Sequence, residues 1–160
     1  MTDLELKHAE ELAIPALDKR VTFAIHRISA QLARITNPVF NQYDIDLDTA
    51  RIIVILLDRK TIPIGELIEL MLLPQSTVSH QLRRLEKRGL ITRQRLAADQ
   101  RSVAVTLTPQ GKKVAKAANA LSVEVQRTMV DGMLEDERLD LMEQLEEMLQ
   151  RLKLMDPSQR

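Results

Sequence analysis

The 160-residue chain contains no cysteine. Disulfide bonds, thiolate metal sites and thiol redox switching are therefore closed to it. Tryptophan is absent, and Phe23, Phe40 and Tyr43 are the only aromatic rings. A core so poor in rings must be built from Leu, Ile, Val, Ala and Met, which suits packed helices better than a β-sandwich. The four glycines, Gly65, Gly89, Gly111 and Gly132, are scattered, so no glycine-rich loop can cradle a phosphate. With no such loop, no nucleophile–base pattern and carboxylates that cluster on what reads as a solvated helix face, the chain is expected not to be an enzyme. No stretch approaches the ~18 apolar residues of a membrane span, and the polar, mixed-charge start does not read as a signal peptide. A cytoplasmic protein with no membrane partner and no cofactor is the expectation. His8, His26 and His80 are far apart in sequence, so no metal site is expected either.

What is present is charge in opposed blocks. The 23 basic and 23 acidic side chains cancel. From Arg83 to Arg101, however, Arg83, Arg84, Lys87, Arg88, Arg93, Arg95 and Arg101 meet only Glu86 and Asp99. From Glu135 to Glu147 the balance reverses, with Arg138 the only base. A basic patch on a neutral chain is the electrostatic footprint of a site-specific nucleic-acid binder.

The apolar spacing predicts a mainly α (α+β) fold, read as one domain over residues 1–160. Leu17, Val21, Ala24, Ile28, Leu32 and Ile35 recur at three and four, predicting a helix over 15–37 that Asn37-Pro38 breaks or kinks. Further helices are expected at 48–59 with Asp48 as N-cap, at 64–71 after Pro63, and at 75–88 with Gly89 as the left-handed stop. The period then changes. Residues 90–96 and 102–107 carry near-alternating β-branched side chains around a turn at 97–100, which predicts a hairpin. Thr108 and Pro109 open a helix running to about residue 130, and a last helix covers 135–154. A helix following a short helix and leading into a basic hairpin is the order of a winged helix-turn-helix lobe, here 46–108, with recognition helix 75–88 and wing 90–107.

On a helical wheel, Val78, Leu82 and Leu85 share the inner face, while Ser76, His80, Arg83 and Lys87 lie within about 40° of its antipode. Gln75, Thr77, Ser79 and Arg84 flank them. Hydroxyl, imidazole and guanidinium groups can bond base edges or phosphates in a major groove, and Arg83 is the candidate for two-pronged reading of guanine. On the wing, Arg93, Arg95 and Arg101 are the candidate contacts. Arg101, held by Asp99, is the side chain suited to a minor groove. Double-stranded DNA is thus the expected partner. A winged-helix module that binds protein and never touches DNA is the alternative, and salt dependence separates the two.

Ser76-Thr77-Val78-Ser79, Leu85-Glu86-Lys87-Arg88-Gly89-Leu90-Ile91 and the wing pattern Asp99-x-Arg101-x5-Leu107-Thr108-x-x-Gly111 together resemble the MarR family of transcriptional regulators. Pro74 departs from the capping residue often found there. The resemblance implies a homodimer whose terminal helices, 12–38 and 109–155, interlock. It implies one recognition helix per subunit in the major groove and one wing in the adjacent minor groove. The 4-3-4-3 spacing of Leu141, Leu145, Met148, Leu152 and Met155 agrees with helices that bury a broad face. Repression is the commoner outcome in that family. It also implies a small aromatic or anionic effector, for which Arg20, Phe23, His26, Arg27 and Arg51 are the candidate lining. Each of those five also reads as an ordinary surface or packing residue. The recognition segment resembles ArsR-like repressors as well. Those are shorter, and many sense metal through cysteines, which this chain lacks.

Overall fold

A computed structural model describes residues 15–96 and 99–156; for Leu96 and residues 99–101 it describes the backbone alone. The chain divides into two compact units, Met1–Ala118 and Asn119–Arg160.

In the first unit, a 3-10 turn at Leu17–Lys19 leads into α1 (Val21–Phe40). Of the break or kink expected at Asn37-Pro38, the break does not occur: α1 runs through Pro38. A proline there removes one intrahelical hydrogen bond, but tertiary contacts hold the last turn. Phe40 is buried, and the Asn37 Oδ1 accepts a hydrogen bond from the Leu47 amide at 3.0 Å. A 3-10 turn at Asn41–Tyr43 follows, ended by Asp44 in the left-handed region at φ 52°. Helix α2 (Leu47–Arg59) is capped by Asp46 rather than by Asp48: the Asp46 Oδ1 accepts from the Thr49 amide at 2.8 Å, and Asp48 lies within the first turn.

Strand β1 (Thr61–Pro63) feeds α3 (Ile64–Met71), which ends at Leu72 with φ 51°. Helix α4 (Gln75–Lys87) follows after a short connection and stops at Gly89, φ 67°, as its sequence predicts. Strands β2 (Ile91–Leu96) and β3 (Asp99–Leu107) form the hairpin. The sheet order is β1-β3-β2, all antiparallel, with Ile62 opposite Val105 and Arg93 opposite Val105 from the other side. The strands reach further toward the tip than expected: Asp99 and Gln100 belong to β3, not to the turn. The ladder slips there, Arg95 facing Val103 while Leu96 faces Asp99.

The core lies in this unit. Ile52, Ile53, Leu56, Ile62, Leu67, Val78, Leu82, Leu85, Leu90 and Val105 are all essentially inaccessible. It is an aliphatic core, in keeping with the shortage of rings. Helix α5 (Pro109–Met129) starts against it. The Thr108 Oγ1 accepts from the Gly111 amide at 3.0 Å and donates to the Gly89 carbonyl at 2.7 Å. It thereby caps α5 and ties it to the end of α4. Gly111 is required by this contact, since a Cβ there would stand 1.9 Å from the Leu90 carbonyl oxygen.

The second unit holds the end of α5, a turn with Gly132 at φ 79°, and α6 (Glu135–Lys153). The Glu137 carboxylate accepts from the Leu134 amide at 2.8 Å, which favours the start of α6. Arg138 pairs with Glu135 and Arg151 with Glu147 along its length. None of the described residues from 119 onward is buried. Val123, Met129, Leu139, Met142, Leu145 and Leu152 are all exposed apolar side chains. No helix among the described residues is long and apolar enough to cross a membrane.

Candidate nucleic-acid interface

Helix α4 buries Val78, Leu82 and Leu85 against the core, which turns its opposite face outward. Ser76, His80, Arg83 and Lys87 are exposed on that outer face, and Gln75 is exposed at its start. Thr77 and Ser79 are half-buried on its two shoulders. Arg83 lies along its own helix, its Nε donating to the Ser79 carbonyl at 3.2 Å. No side chain caps the first turn. The Thr77 and Val78 amides instead bond the Pro74 carbonyl at 2.9 and 3.1 Å. Pro74 thus replaces a hydroxyl cap by backbone geometry alone.

The two flanks of α4 are engaged by the rest of the lobe. On one flank, Arg88 donates from Nη1 to the Asp44 carbonyl at 2.7 Å and from Nη2 to the Tyr43 carbonyl. Its Nε also lies 3.6 Å from the Asp44 carboxylate, and Arg84 approaches the same carboxylate at 3.8 Å. Gln81, only 8% exposed, donates to the Asp46 Oδ2 at 3.4 Å. Partial burial pushes the Asp46 carboxyl up. The hydrogen bonds from Thr49 and Gln81 and the charge of Arg84 outweigh it, so the net position is below the ordinary aspartate value.

On the other flank, Arg93 of β2 reaches back to Glu86, Nε to Oε2 at 3.1 Å, with its side chain three-quarters covered. The Arg93 Nε and Nη2 have no directed hydrogen bond, so this is a charge contact rather than a two-pronged one. Arg95, further out on β2, is exposed. The expected pairing of Asp99 with Arg101 concerns side chains outside the described residues.

The candidates from the sequence therefore separate. Gln75, Ser76, His80, Arg83, Lys87 and Arg95 are presented outward, while Arg84 and Arg93 lean on Asp44 and Glu86. Asp44, Asp46, Gln81, Glu86 and Arg88 were not among the expected residues, yet they hold the helix. One of them carried a signal: Gln81 falls on the core side of the wheel beside Val78, where a polar group needs a partner.

Of the candidate effector residues, Phe23, His26 and Arg27 are neighbours on α1. The Phe23 and His26 rings lie 6.4 Å apart at 22°, and the Arg27 guanidinium carbon is 6.0 Å from the Phe23 centroid. Arg20 bonds the Pro15 carbonyl at 2.8 Å instead, and Arg51 is exposed on α2.

Comparison with known proteins places this lobe. Residues 47–103, from the start of α2 into the wing, match the model of the MarR family. The organic hydroperoxide resistance transcriptional regulator of Bacillus subtilis (strain 168) is 27% identical over 95 residues, covering 59% of this chain and 65% of that protein. The match thus spans just under two thirds of that relative. A MarR-family transcriptional regulator from Silicibacter pomeroyi superposes with TM-score 0.74 at 26% identity, over 84% of this chain and 90% of the other. A Staphylococcus aureus MepR–DNA complex superposes with TM-score 0.77 at 23% identity, over 86% and 99%. Residues 47–103, which hold the helix-turn-helix and most of the wing, thus match the MarR family, and the fold is similar to that of a solved MarR-family regulator.

Proposed function

We propose that this chain is a sequence-specific duplex-DNA-binding transcriptional regulator that acts as a homodimer on a pseudo-palindromic operator, with repression as its regulatory outcome. The observation that carries the reading is the outer face of α4. Ser76, His80, Arg83 and Lys87 form a face without a carboxylate, on a helix whose flanks are both engaged by its own lobe. Such a face has donors for base edges and phosphates and nothing that repels them. The solved MepR–DNA complex supports the same reading, because that protein shares the fold and binds DNA.

Dimerisation is supported by what the protomer leaves bare. In the second unit no described residue is buried. On α1 and the turn before it, Leu17, Val21, Ile25, Ile28, Ile35 and Val39 are exposed, most of them at intervals of three and four. Apolar surface on that scale is not left facing water by a stable monomer. A second copy covers it and brings two recognition helices to half-sites about 10 bp apart. The Phe23–His26–Arg27 cluster, with Arg20 and Arg51, is the proposed place for a small aromatic or anionic effector that releases the DNA.

The test is a duplex titration over a range of salt, with sedimentation of the free protein at micromolar concentration. A dimer is expected. Its binding should fall with a log–log slope near about −0.9 per neutralised phosphate. A clean monomer contradicts the two-half-site reading, and salt-independent association favours the protein-interaction module instead.

A further inference from the structure

We propose that Arg88 is a positioning residue for DNA binding: it clamps the C-terminal end of the recognition helix to the corner between α1 and α2, and so sets the angle at which α4 is presented.

The geometry is specific. Arg88 follows the last residue of α4 and is bonded away from its outer face. Its guanidinium reaches across 44 and 45 residues of chain to the carbonyls of Asp44 and Tyr43. Those two carbonyls lie at the end of the 3-10 turn that follows α1, where the chain is pinned by the left-handed Asp44. A planar guanidinium that donates in two directions fixes an angle as well as a distance. A lysine ammonium, a single point charge, cannot do so. The Asp44 carboxylate adds its charge 3.6 Å from the Arg88 Nε. Further back on the same flank, Gln81 meets Asp46, and Asp46 caps α2. On α1 itself, Asn37 accepts from the Leu47 amide. A continuous set of polar contacts thus runs from the last turn of α1 to the inner flank of α4.

The inference rests on the proposed dimeric duplex binder. There, α1 carries the apolar stripe that a second copy covers, so the angle between α1 and α4 sets the distance between the two recognition helices. A clamp at this corner then acts on half-site spacing, whereas a merely stabilising contact would weaken every DNA site alike.

The experiment uses full-length wild-type protein, Arg88→Lys and Arg88→Ala. Each is titrated against duplexes carrying two copies of the half-site recovered by selection with the wild type. The spacing is varied one base pair at a time, with a random duplex as reference. Thermal melts and sedimentation run alongside. The wild type is expected to show one preferred spacing. Hydrogen bonds made by a charged donor are strong enough that losing both costs Arg88→Ala about tenfold at that spacing. Its affinity for the other spacings and for random duplex should stay within about threefold of wild type, so the preference flattens. Arg88→Lys keeps the charge and should flatten the preference nearly as much, with a smaller drop in melting temperature. An unchanged spacing preference in a folded, dimeric Arg88→Lys overturns the proposal, as does an equal loss on all duplexes. Failure of the wild type to bind any duplex overturns the underlying reading instead.

Discussion

Gly111→Ala places a methyl group where the Leu90 carbonyl already stands. The new Cβ would lie 1.9 Å from the Leu90 oxygen, 2.9 Å from its carbon and 3.2 Å from the Leu107 Cδ2. The first two of these neighbours are backbone atoms, which cannot rotate away, so α5 and the base of the wing must part by about 1.5 Å to restore ordinary contact. That movement pulls on the Thr108 amide, bonded to the same Leu90 carbonyl at 3.0 Å, and on the Thr108 cap of α5. Overpacking of this kind costs about 1–3 kcal/mol, and a weakened cap up to about 1 kcal/mol more. Against it stands the gain of about 0.5–1 kcal/mol for alanine over glycine in a helix. The expected net loss is therefore about 1–3 kcal/mol, or several degrees of melting temperature at about 2–4 °C per kcal/mol. Urea denaturation followed by far-UV circular dichroism measures it. Gly65→Ala is the matched control, because Gly65 is helical and an added methyl would meet nothing within 4 Å. It is expected to leave stability unchanged or raise it by up to about 1 kcal/mol. A Gly111→Ala protein as stable as wild type would refute the close approach of α5 to the wing.

On the selected operator, Arg83→Ala is expected to lose about 1–3 kcal/mol and to relax the base preference at one position, read by competition with single-base variants. Arg101→Ala should weaken binding with less change in major-groove preference, read in the same assay; equal specificity loss in both variants would contradict their separate roles. Arg93→Ala should lower the melting temperature and leave the salt slope of DNA binding within about one phosphate of wild type, because Arg93 is engaged by Glu86. Asp46→Ala removes the cap of α2 and should cost about 1 kcal/mol at neutral pH. Since the folded Asp46 carboxyl sits below its ordinary value, its contribution is fully present above that value and is lost as pH falls through the folded one. Wild type and Asp46→Ala should therefore converge in urea midpoint toward acid pH, and a gap that stays constant there would contradict the assignment.

Much of the winged lobe was legible because its signals are local. The inner face of α4 follows from Val78, Leu82 and Leu85 on one side of a wheel, and its end from Gly89 in the left-handed region. The cap of α5 by Thr108 also follows from adjacent residues. Pro38 does not end α1, and the sequence could not say so, because a proline reports only on the backbone bond it removes. The burial of Phe40 and the Asn37–Leu47 contact, which carry α1 past it, depend on the folded chain. Asp44, Asp46 and Asp48 alternate, and no local pattern says which of the three caps α2. Arg83 and Arg84 are adjacent in sequence and about 100° apart on the helix; the position of Asp44 decides that one leans on it. Arg88 reaches across a long stretch of chain to Asp44, and Glu86 meets the wing; both stand in the run that resembles the family, but nothing in their immediate neighbours names these partners.

Selection of bound duplexes from a random pool with the full-length protein tests the central claim most directly. The account predicts recovery of one family of pseudo-palindromic sites with half-sites about 10 bp apart, and loss of the base preference at one position of each half-site when the selection is repeated with Arg83→Ala. Recovery of no enriched sequence by a folded, dimeric wild-type protein would contradict it.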